Sequence, residues 1–175
     1  MTIEFKIEEA NLIKGVFIIT PSVSIDLRGN IWSSYVQSEI EKLLPGKVNF
    51  IHDKFAESKK NVLRGIHGDN KTWKLITCVY GDIFQVIVDL RVKSETYKKW
   101  EKFSLNSNNP KLILIPPEMG NAYYVNSDNA VYHYKLAYEG EHFDAKDQYS
   151  YMWNDKDIAI TWPTNNPILS DRDIS

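Results

Sequence analysis

Short apolar runs that end at turn-forming residues dominate the pattern of this chain. Residues 16–20 form a largely β-branched run that ends at Pro21, and residues 111–115 form another run that ends at Pro116. β-Branched residues favour strands, and proline ends a strand because it lacks the backbone N–H that pairs with a neighbour. The pattern therefore predicts a chain built mainly from short β-strands.

Two pairs of apolar runs flank short sequences of turn-forming residues. They are 74–80 with 83–90, around Gly81-Asp82, and 122–125 with 130–137, around residues 126–129. Glycine, asparagine, aspartate and serine are the residues that tight turns tolerate best. We therefore predict a β-hairpin at each place, and the spacing of the strands is typical of an antiparallel sandwich or barrel.

One segment has the periodicity of a helix. Its apolar residues recur on one helical face, and they are Val36, Ile40, Leu43 and Leu44. Ser34 and Gln37 have the spacing of a capping box, and Pro45-Gly46 marks the end. We predict one short helix beside an all-β body.

Length and composition are those of one globular domain. No tract rich in proline, glycine or serine divides the 175 residues, so we predict a single domain over residues 1–175. Hydrophobic residues make up 43% and charged residues 25%, as in ordinary soluble proteins. The net charge of -2 provides no long-range attraction to nucleic acid or to anionic lipid, so we expect neither as a partner.

The compartment is predicted from the cysteine count and from the length of the apolar runs. Cys78 is the single cysteine, which excludes an intrachain disulfide and favours a reducing compartment. No run of about 20 apolar residues, the length that crosses a bilayer, occurs in the sequence. We expect a cytoplasmic protein with no membrane segment.

Several common chemical motifs are missing. The sequence has no glycine-rich phosphate loop, no Gly-x-Ser-x-Gly elbow and no Cys-x-x-Cys pair. A metal-binding cupin brings two close histidines and a carboxylate to one ion, whereas His67-Gly68-Asp69 has aspartate in place of the second histidine. We therefore predict no metal site. We assign no role to the remaining histidines, which are His52, His133 and His142.

A series of short motifs runs through the chain in a specific order. The series is IDLRG (25–29), VLRGIH (62–67), WKLI, YGDIFQVIVDLR, LILIPP, YHYK, WND, ITWP and ILSDRD. In this order the motifs resemble the dTDP-4-dehydrorhamnose 3,5-epimerase family and the related GDP-4-keto-heptose epimerases. The resemblance implies a jelly-roll cupin that uses no metal or other cofactor. It also implies a homodimer, with a nucleotide-diphosphate-linked 4-keto sugar bound near the subunit interface.

The resemblance also assigns the acid–base residues. A ketone at C4 acidifies the protons on C3 and C5, so epimerisation needs a base on one face of the sugar and an acid on the other. By similarity to the family His67 is the base, Asp173 orients it, with Asp171 as the competing choice, and Tyr134 is the acid. Strand alternation puts Tyr134 on the same face as Leu136, and we expect this face to point inward.

Binding residues follow from the same resemblance. Arg64 and Lys74 match the cationic pair near the C4 oxygen, where negative charge grows in the transition state. Arg28 matches an arginine that family members send to the diphosphate, often from the neighbouring subunit. Tyr138 matches a position that lines the sugar pocket in the family.

The chain departs from the family pattern where the substrate would bind. Asn121 stands in place of the usual histidine, and it can form hydrogen bonds but cannot carry a charge. These departures favour a GDP-linked 4-keto heptose or 6-deoxyheptose, used for capsule or surface polysaccharide, as the sugar whose C3, C5 or both are inverted. The alternatives are a dTDP-4-keto-6-deoxyhexose 3,5-epimerase, a C3-only epimerase, or a non-catalytic jelly roll that binds sugar nucleotides.

Overall fold

A computed structural model describes residues 3–46 and 48–174. Almost all of its regular structure is β-strand. The strands are β1 Phe5–Glu9, β2 Phe17–Pro21, β3 Val23–Asp26, β4 Gly29–Trp32, β5 Phe50–Lys59, β6 Leu63–Gly68, β7 Trp73–Tyr80, β8 Asp82–Asp89, β9 Trp100–Asn106, β10 Leu112–Ile115, β11 Met119–Val125, β12 Asn129–Ala137 and β13 Tyr149–Ser150. The α-helical turns are α1 Gln37–Ile40 and α2 Asp171–Ile174, and 3-10 turns cover Glu41–Leu43 and Ala145–Asp147.

The strands form two large antiparallel sheets and one separate hairpin. The six-stranded sheet has the order β1-β2-β10-β7-β12-β5, and the five-stranded sheet has the order β13-β6-β11-β8-β9. Within residues 3–46 and 48–174, β3 and β4 pair only with each other. Apolar side chains from both large sheets share one core cluster, so the sheets pack face to face. The predicted all-β jelly-roll fold with a short helix is confirmed.

Aromatic side chains fill much of the space between the sheets. Tyr123 on β11 and Tyr132 on β12 are fully buried, and their rings stack with centroids 4.3 Å apart. Cys78 on β7 is also buried, and burial raises the pKa of its thiol to about 11. The thiol is therefore protonated and enclosed at neutral pH.

Both predicted hairpins are wrong in their pairing. β7 belongs to the six-stranded sheet and β8 to the five-stranded sheet, and β11 and β12 are divided in the same way. Each turn therefore carries the chain across the core from one sheet to the other. The two turns pack against each other at Gly81, whose φ of 87° suits glycine and where any side chain would collide with Asn129.

The predicted helix is present but shorter, and its predicted cap is wrong. After the four residues of α1 the chain tightens into the 3-10 turn Glu41–Leu43. Val36, in an extended conformation, is the N-cap residue instead of Ser34, and no side-chain hydrogen bond caps this helix among the described residues. Ile40 is buried and anchors the turn to the core. No helix in the described chain is long and apolar enough to cross a membrane.

Candidate active site

A cavity of about 330 Å³ lies between the two large sheets. Six of the eight predicted site residues line it, namely Arg64, His67, Lys74, Asn121, Tyr134 and Asp173. Both sheets and the C-terminal segment contribute to its wall. The sequence motifs that are far apart along the chain therefore meet at one place.

The five-stranded sheet provides a cation and an imidazole side by side. Arg64 and His67 are both on β6, three residues apart, a spacing that would put them on opposite faces of a regular strand. The pairing of β6 with β11 shifts register between Asn121 and Tyr123, and this irregularity brings both side chains to the cavity. Gly65 is required at this place because any side chain there would collide with β11.

His67 is in contact with a buried carboxylate. Its Nε2 lies 2.8 Å from Oδ1 of Asp173, although the two atoms are not in hydrogen-bond geometry. The side chain of Asp173 is only 3% exposed, whereas Asp171 is exposed. The contact with the imidazole is therefore made by Asp173 and not by Asp171.

Asp173 is held in its charged form. Burial raises the pKa of Asp173, but the contacts with His67 and Ser170 lower it by more, so the pKa lies below its usual value. The hydroxyl of Ser170 donates a hydrogen bond of 2.6 Å to Oδ2. An ionised carboxylate at this distance stabilises the protonated imidazole, which is the state that forms when a base takes up a proton.

Tyr134 lies on the opposite sheet from His67. It is on β12 with Leu136, and both side chains line the cavity, as strand alternation predicts. Burial raises the pKa of Tyr134, and nearby Tyr123 raises it further, so the phenol keeps its proton at neutral pH. The cavity thus has an imidazole, which can accept a proton, on one wall and a phenol, which can donate one, on the other.

Cationic side chains surround this pair. The ammonium of Lys74 is almost fully buried and lies 3.7 Å from Oδ2 of Asp69. Burial lowers the pKa of Lys74, and Asp69 opposes this effect. Within the part of the chain that the structure describes, Asp173 is the one carboxylate among the lining residues, against four cations. The cavity is therefore suited to an anionic ligand.

Two of these four cations were not predicted from the sequence. Lys54 on β5 is the direct cross-strand partner of Tyr134, and its Nζ lies 5.0 Å from the centre of that ring. Arg172, from α2, also lines the cavity, and burial lowers its pKa. Arg172 lies within the recognised ILSDRD motif, but Lys54 has no local sequence signal because its role depends on strand pairing.

The remaining predicted residues lie elsewhere. Arg28 is at the tip of the β3–β4 hairpin, where its side chain is 91% exposed and pairs with Asp26 at 2.5 Å. Neither Arg28 nor Tyr138 is among the described residues that line this chain's cavity. The hydroxyl of Tyr138 instead lies 3.3 Å from Nδ1 of His52, and its ring lies next to His142. His142, to which the sequence alone assigns no role, does line the cavity.

An imidazole that can accept a proton and a phenol that can donate one lie on facing walls of the cavity. Removal of a proton on one face of a carbon and its return on the other inverts that carbon, which is the reaction of an epimerase. The family model for dTDP-4-dehydrorhamnose 3,5-epimerase matches residues 10–175. The chain belongs to this family and is accordingly an isomerase, a sugar-nucleotide epimerase.

Individual relatives agree with the family model. A dTDP-4-dehydrorhamnose 3,5-epimerase from Shigella flexneri is 36% identical over 166 residues, which cover 93% of this chain and 90% of the relative. A dTDP-4-dehydrorhamnose 3-epimerase from Streptomyces niveus is 31% identical, over 92% of this chain and 78% of the relative. A solved structure with a similar fold is a dTDP-6-deoxy-D-glucose-3,5-epimerase from Legionella pneumophila in complex with dTDP-4-keto-L-rhamnose. Its TM-score is 0.89 and its sequence identity is 30%, and the match covers 98% of this chain and 90% of the Legionella chain.

Proposed function

We propose that this protein inverts C3 and C5 of a 4-keto-6-deoxyhexose that is linked to dTDP. The observation that supports this most directly is the pairing of His67 with Asp173 on one wall, opposite the protonated Tyr134 on the other. Because Nε2 of His67 faces Asp173, Nδ1 is the nitrogen left to accept a proton from the sugar. The C–H electron pair then moves onto the C4 oxygen and forms an enolate.

The cations around the cavity stabilise this enolate. Lys74 is buried and aligned by Asp69, and Arg64 is aligned by the 3.0 Å hydrogen bond from its Nε to Ser58. Charge on the C4 oxygen grows only in the transition state, so donors fixed beforehand act mainly there. One such donor contributes about 2.7–4 kcal/mol in well-studied enzymes.

Tyr134 completes the inversion. Its hydroxyl gives a proton to the carbon from the face opposite His67, and the enolate returns to the ketone. The protonated His67 then loses its proton to water and the tyrosinate regains one, so each turnover exchanges the carbon-bound hydrogen with solvent. Repetition at the second acidified carbon requires the sugar to present C3 and C5 in turn to the same base.

The identity of the nucleotide and the number of inverted carbons complete the description of the substrate. The relatives named above act on dTDP sugars, and none of them supports the GDP-heptose that the departures at Asn121 favour. We therefore place dTDP first. The Streptomyces niveus relative is named a 3-epimerase, which makes C3-only inversion the second candidate.

We also propose that the active form is a homodimer. Exposed apolar residues crowd the β3–β4 hairpin, with Ile25 at 77% and Ile31 at 65% exposure. Exposed apolar clusters of this kind mark interaction sites. A second copy of the chain that covers this hairpin would bring Arg28 towards its partner's cavity, where a guanidinium can bind a diphosphate in a bidentate manner.

Deuterium exchange tests the proposed function. The protein is incubated in D₂O with a dTDP-linked 4-keto-6-deoxyglucose and, separately, with GDP-linked 4-keto hexose and heptose, and ring protons are followed by NMR. We expect loss of the C3 and C5 signals with the dTDP sugar. Exchange at one carbon after product has accumulated would favour the 3-epimerase, exchange only with a GDP sugar would overturn the nucleotide assignment, and binding without exchange would indicate a non-catalytic protein.

A further inference from the structure

Gln85, on β8, is fully buried between the sheets and forms hydrogen bonds with both of its polar atoms. Its Nε2 lies within 2.9 Å of three oxygens, the backbone carbonyls of Val86 and Ala122 and Oδ1 of Asn121. Its Oε1 accepts a hydrogen bond of 2.8 Å from the hydroxyl of Tyr132 on the opposite sheet. The amide of Gln85 can face only one way, because a flip would put an oxygen against two carbonyls.

This arrangement also fixes the amide of Asn121. The atom of Asn121 that faces Nε2 of Gln85 must be an acceptor, so it is Oδ1, and the distance is 2.8 Å. The hydroxyl of Tyr132 lies 3.3 Å from the same oxygen but has one proton, which the closer Gln85 receives. Among residues 3–46 and 48–174 the side-chain hydrogen bonds of Asn121 are made by Oδ1, which leaves Nδ2 without an acceptor, and Asn121 lines the cavity.

Asn121 is also next to the proposed base. It lies directly opposite His67 in the pairing of β6 and β11, so the two side chains share one face of the sheet. Because Asn121 and His67 line the same cavity, an NH₂ group here can reach the space in which a sugar ring would meet His67. Because an amide does not titrate, this donor is present at every pH at which the protein is folded.

We infer that Gln85 is a positioning residue that locks Asn121 with its NH₂ group towards the sugar ring, so that the site recognises an acceptor oxygen beside the carbon that reacts. This inference rests on the proposed function, because it concerns the same substrate. The class of ligand group is a ketone, an enolate or a hydroxyl oxygen of a 4-keto sugar. Gln85 acts only through Asn121 and does not touch the substrate.

A double-mutant cycle tests this coupling. In Gln85→Leu the Asn121 amide loses its partner, and we expect kcat/KM for the 4-keto sugar nucleotide to fall about tenfold, which is the usual size of a lost oriented hydrogen bond. The Kd for dTDP, which lacks the 4-keto sugar, should stay within about twofold of the wild-type value. In the Asn121→Ala background the same Gln85→Leu change should lower kcat/KM by less than about twofold, because the route through Asn121 is already gone.

A matched control separates positioning from general loss of packing. Thr77→Val removes a buried hydrogen bond of 2.7 Å to the carbonyl of Lys111, away from the cavity. It should lower stability without lowering kcat/KM at a temperature where the protein is folded. The inference would be overturned if Gln85→Leu lowered kcat/KM equally in the wild-type and Asn121→Ala backgrounds. It would also be overturned if Gln85→Leu lowered kcat/KM in neither background. If Gln85→Leu does not fold, Gln85→Met is carried through the same cycle.

A second measurement is independent of turnover. In ¹⁵N-labelled wild-type protein the NH₂ protons of Gln85 should exchange slowly with D₂O, and those of Asn121 should exchange fast because they face the cavity. Slow exchange at Asn121 and fast exchange at Gln85 would overturn the amide orientation. If the wild type shows no sugar exchange, the proposed function fails while this experiment still decides how Asn121 is oriented.

Discussion

Asn121 lies directly opposite His67 in the antiparallel pairing of β6 with β11. A neutral amide therefore stands beside the imidazole at the position where the resembled family has a second histidine. A second imidazole at this distance would, once protonated, oppose protonation of His67 by like-charge repulsion, whereas an amide cannot. In this chain Asp173 is thus the charged group in contact with the proposed base.

The first prediction concerns His67 itself. His67→Asn keeps a polar side chain of smaller size but removes the proton acceptor, so turnover should fall by about 10²-fold or more, the usual scale for a general base. Exchange of C3 and C5 hydrogen with D₂O, followed by NMR, measures the loss. Near-native exchange in a folded His67→Asn protein would remove His67 from its proposed role.

The second prediction separates proton removal from inversion. Tyr134→Phe removes the phenol hydroxyl while the ring can still pack against Tyr132, which it contacts edge-on. His67 can still remove a proton and return a deuteron on the same face, so exchange should continue while inverted product falls by about 10²-fold or more. Parallel NMR assays of label and of product ratio check this. Equal loss of both signals would mean that Tyr134 does more than deliver the second proton.

The third prediction distinguishes two neighbouring carboxylates. Asp173→Asn removes the charge that stabilises protonated His67, and we expect kcat to fall by about tenfold or more. The matched control is Asp171→Asn, an equal change two residues away on the exposed side of α2. Its kcat should stay within about twofold of the wild-type value. The kcat of both variants is measured on the same sugar nucleotide. A larger effect from Asp171→Asn would reverse the assignment.

The fourth prediction concerns stability at low pH. Asp89 is fully buried and its pKa is about 2, because the hydrogen bonds from Arg91, Ser94 and Thr96 outweigh the opposing effect of burial. A carboxylate with a lowered pKa stabilises the fold above its unfolded pKa, and this contribution is lost as the pH falls. From about pH 4 down to about pH 2 the loss from Asp89 should be about 2 kcal/mol of unfolding free energy.

Asp89→Asn is the variant that isolates this effect. It should unfold at lower urea concentration than the wild type at pH 7, and the difference should shrink as the pH approaches 2. Asp157→Asn is the control, because Asp157 forms an exposed pair with Lys98 of the kind that contributes little. A constant difference between Asp89→Asn and wild type across this pH range would contradict the prediction.

The fifth prediction tests the homodimer and Arg28 separately. Ile25→Glu puts a charge on the exposed apolar hairpin and should shift the protein from dimer to monomer in analytical ultracentrifugation. Arg28→Ala should leave the dimer intact but raise the Kd for dTDP by about tenfold or more, because a charged contact to the diphosphate is lost. A wild-type monomer, or an unchanged Kd in Arg28→Ala, would contradict the proposed arrangement.

The extent to which the site was predictable depends on how local each signal is. His67, Arg64 and Lys74 were predicted because their motifs identify them within a few residues of sequence. Lys54 was missed because its place beside Tyr134 follows only from the pairing of β5 with β12. Gln85 lies within a recognised motif, but its hydrogen bonds to Asn121 and Tyr132 join three strands and two sheets.

The sequence by itself determined that the chain would form short antiparallel strands, because β-branched runs and turn residues act through local backbone preferences. It did not determine which strands pair, and both predicted hairpins proved to be crossings between sheets. The turn at Gly81 would have the same residues whether it joined two paired strands or crossed from one sheet to the other. Which of the two forms depends on which apolar faces bury each other. Only the tertiary structure therefore brought Asp173 to His67 and placed Tyr134 on the facing wall, because burial between two sheets is a property of the whole chain.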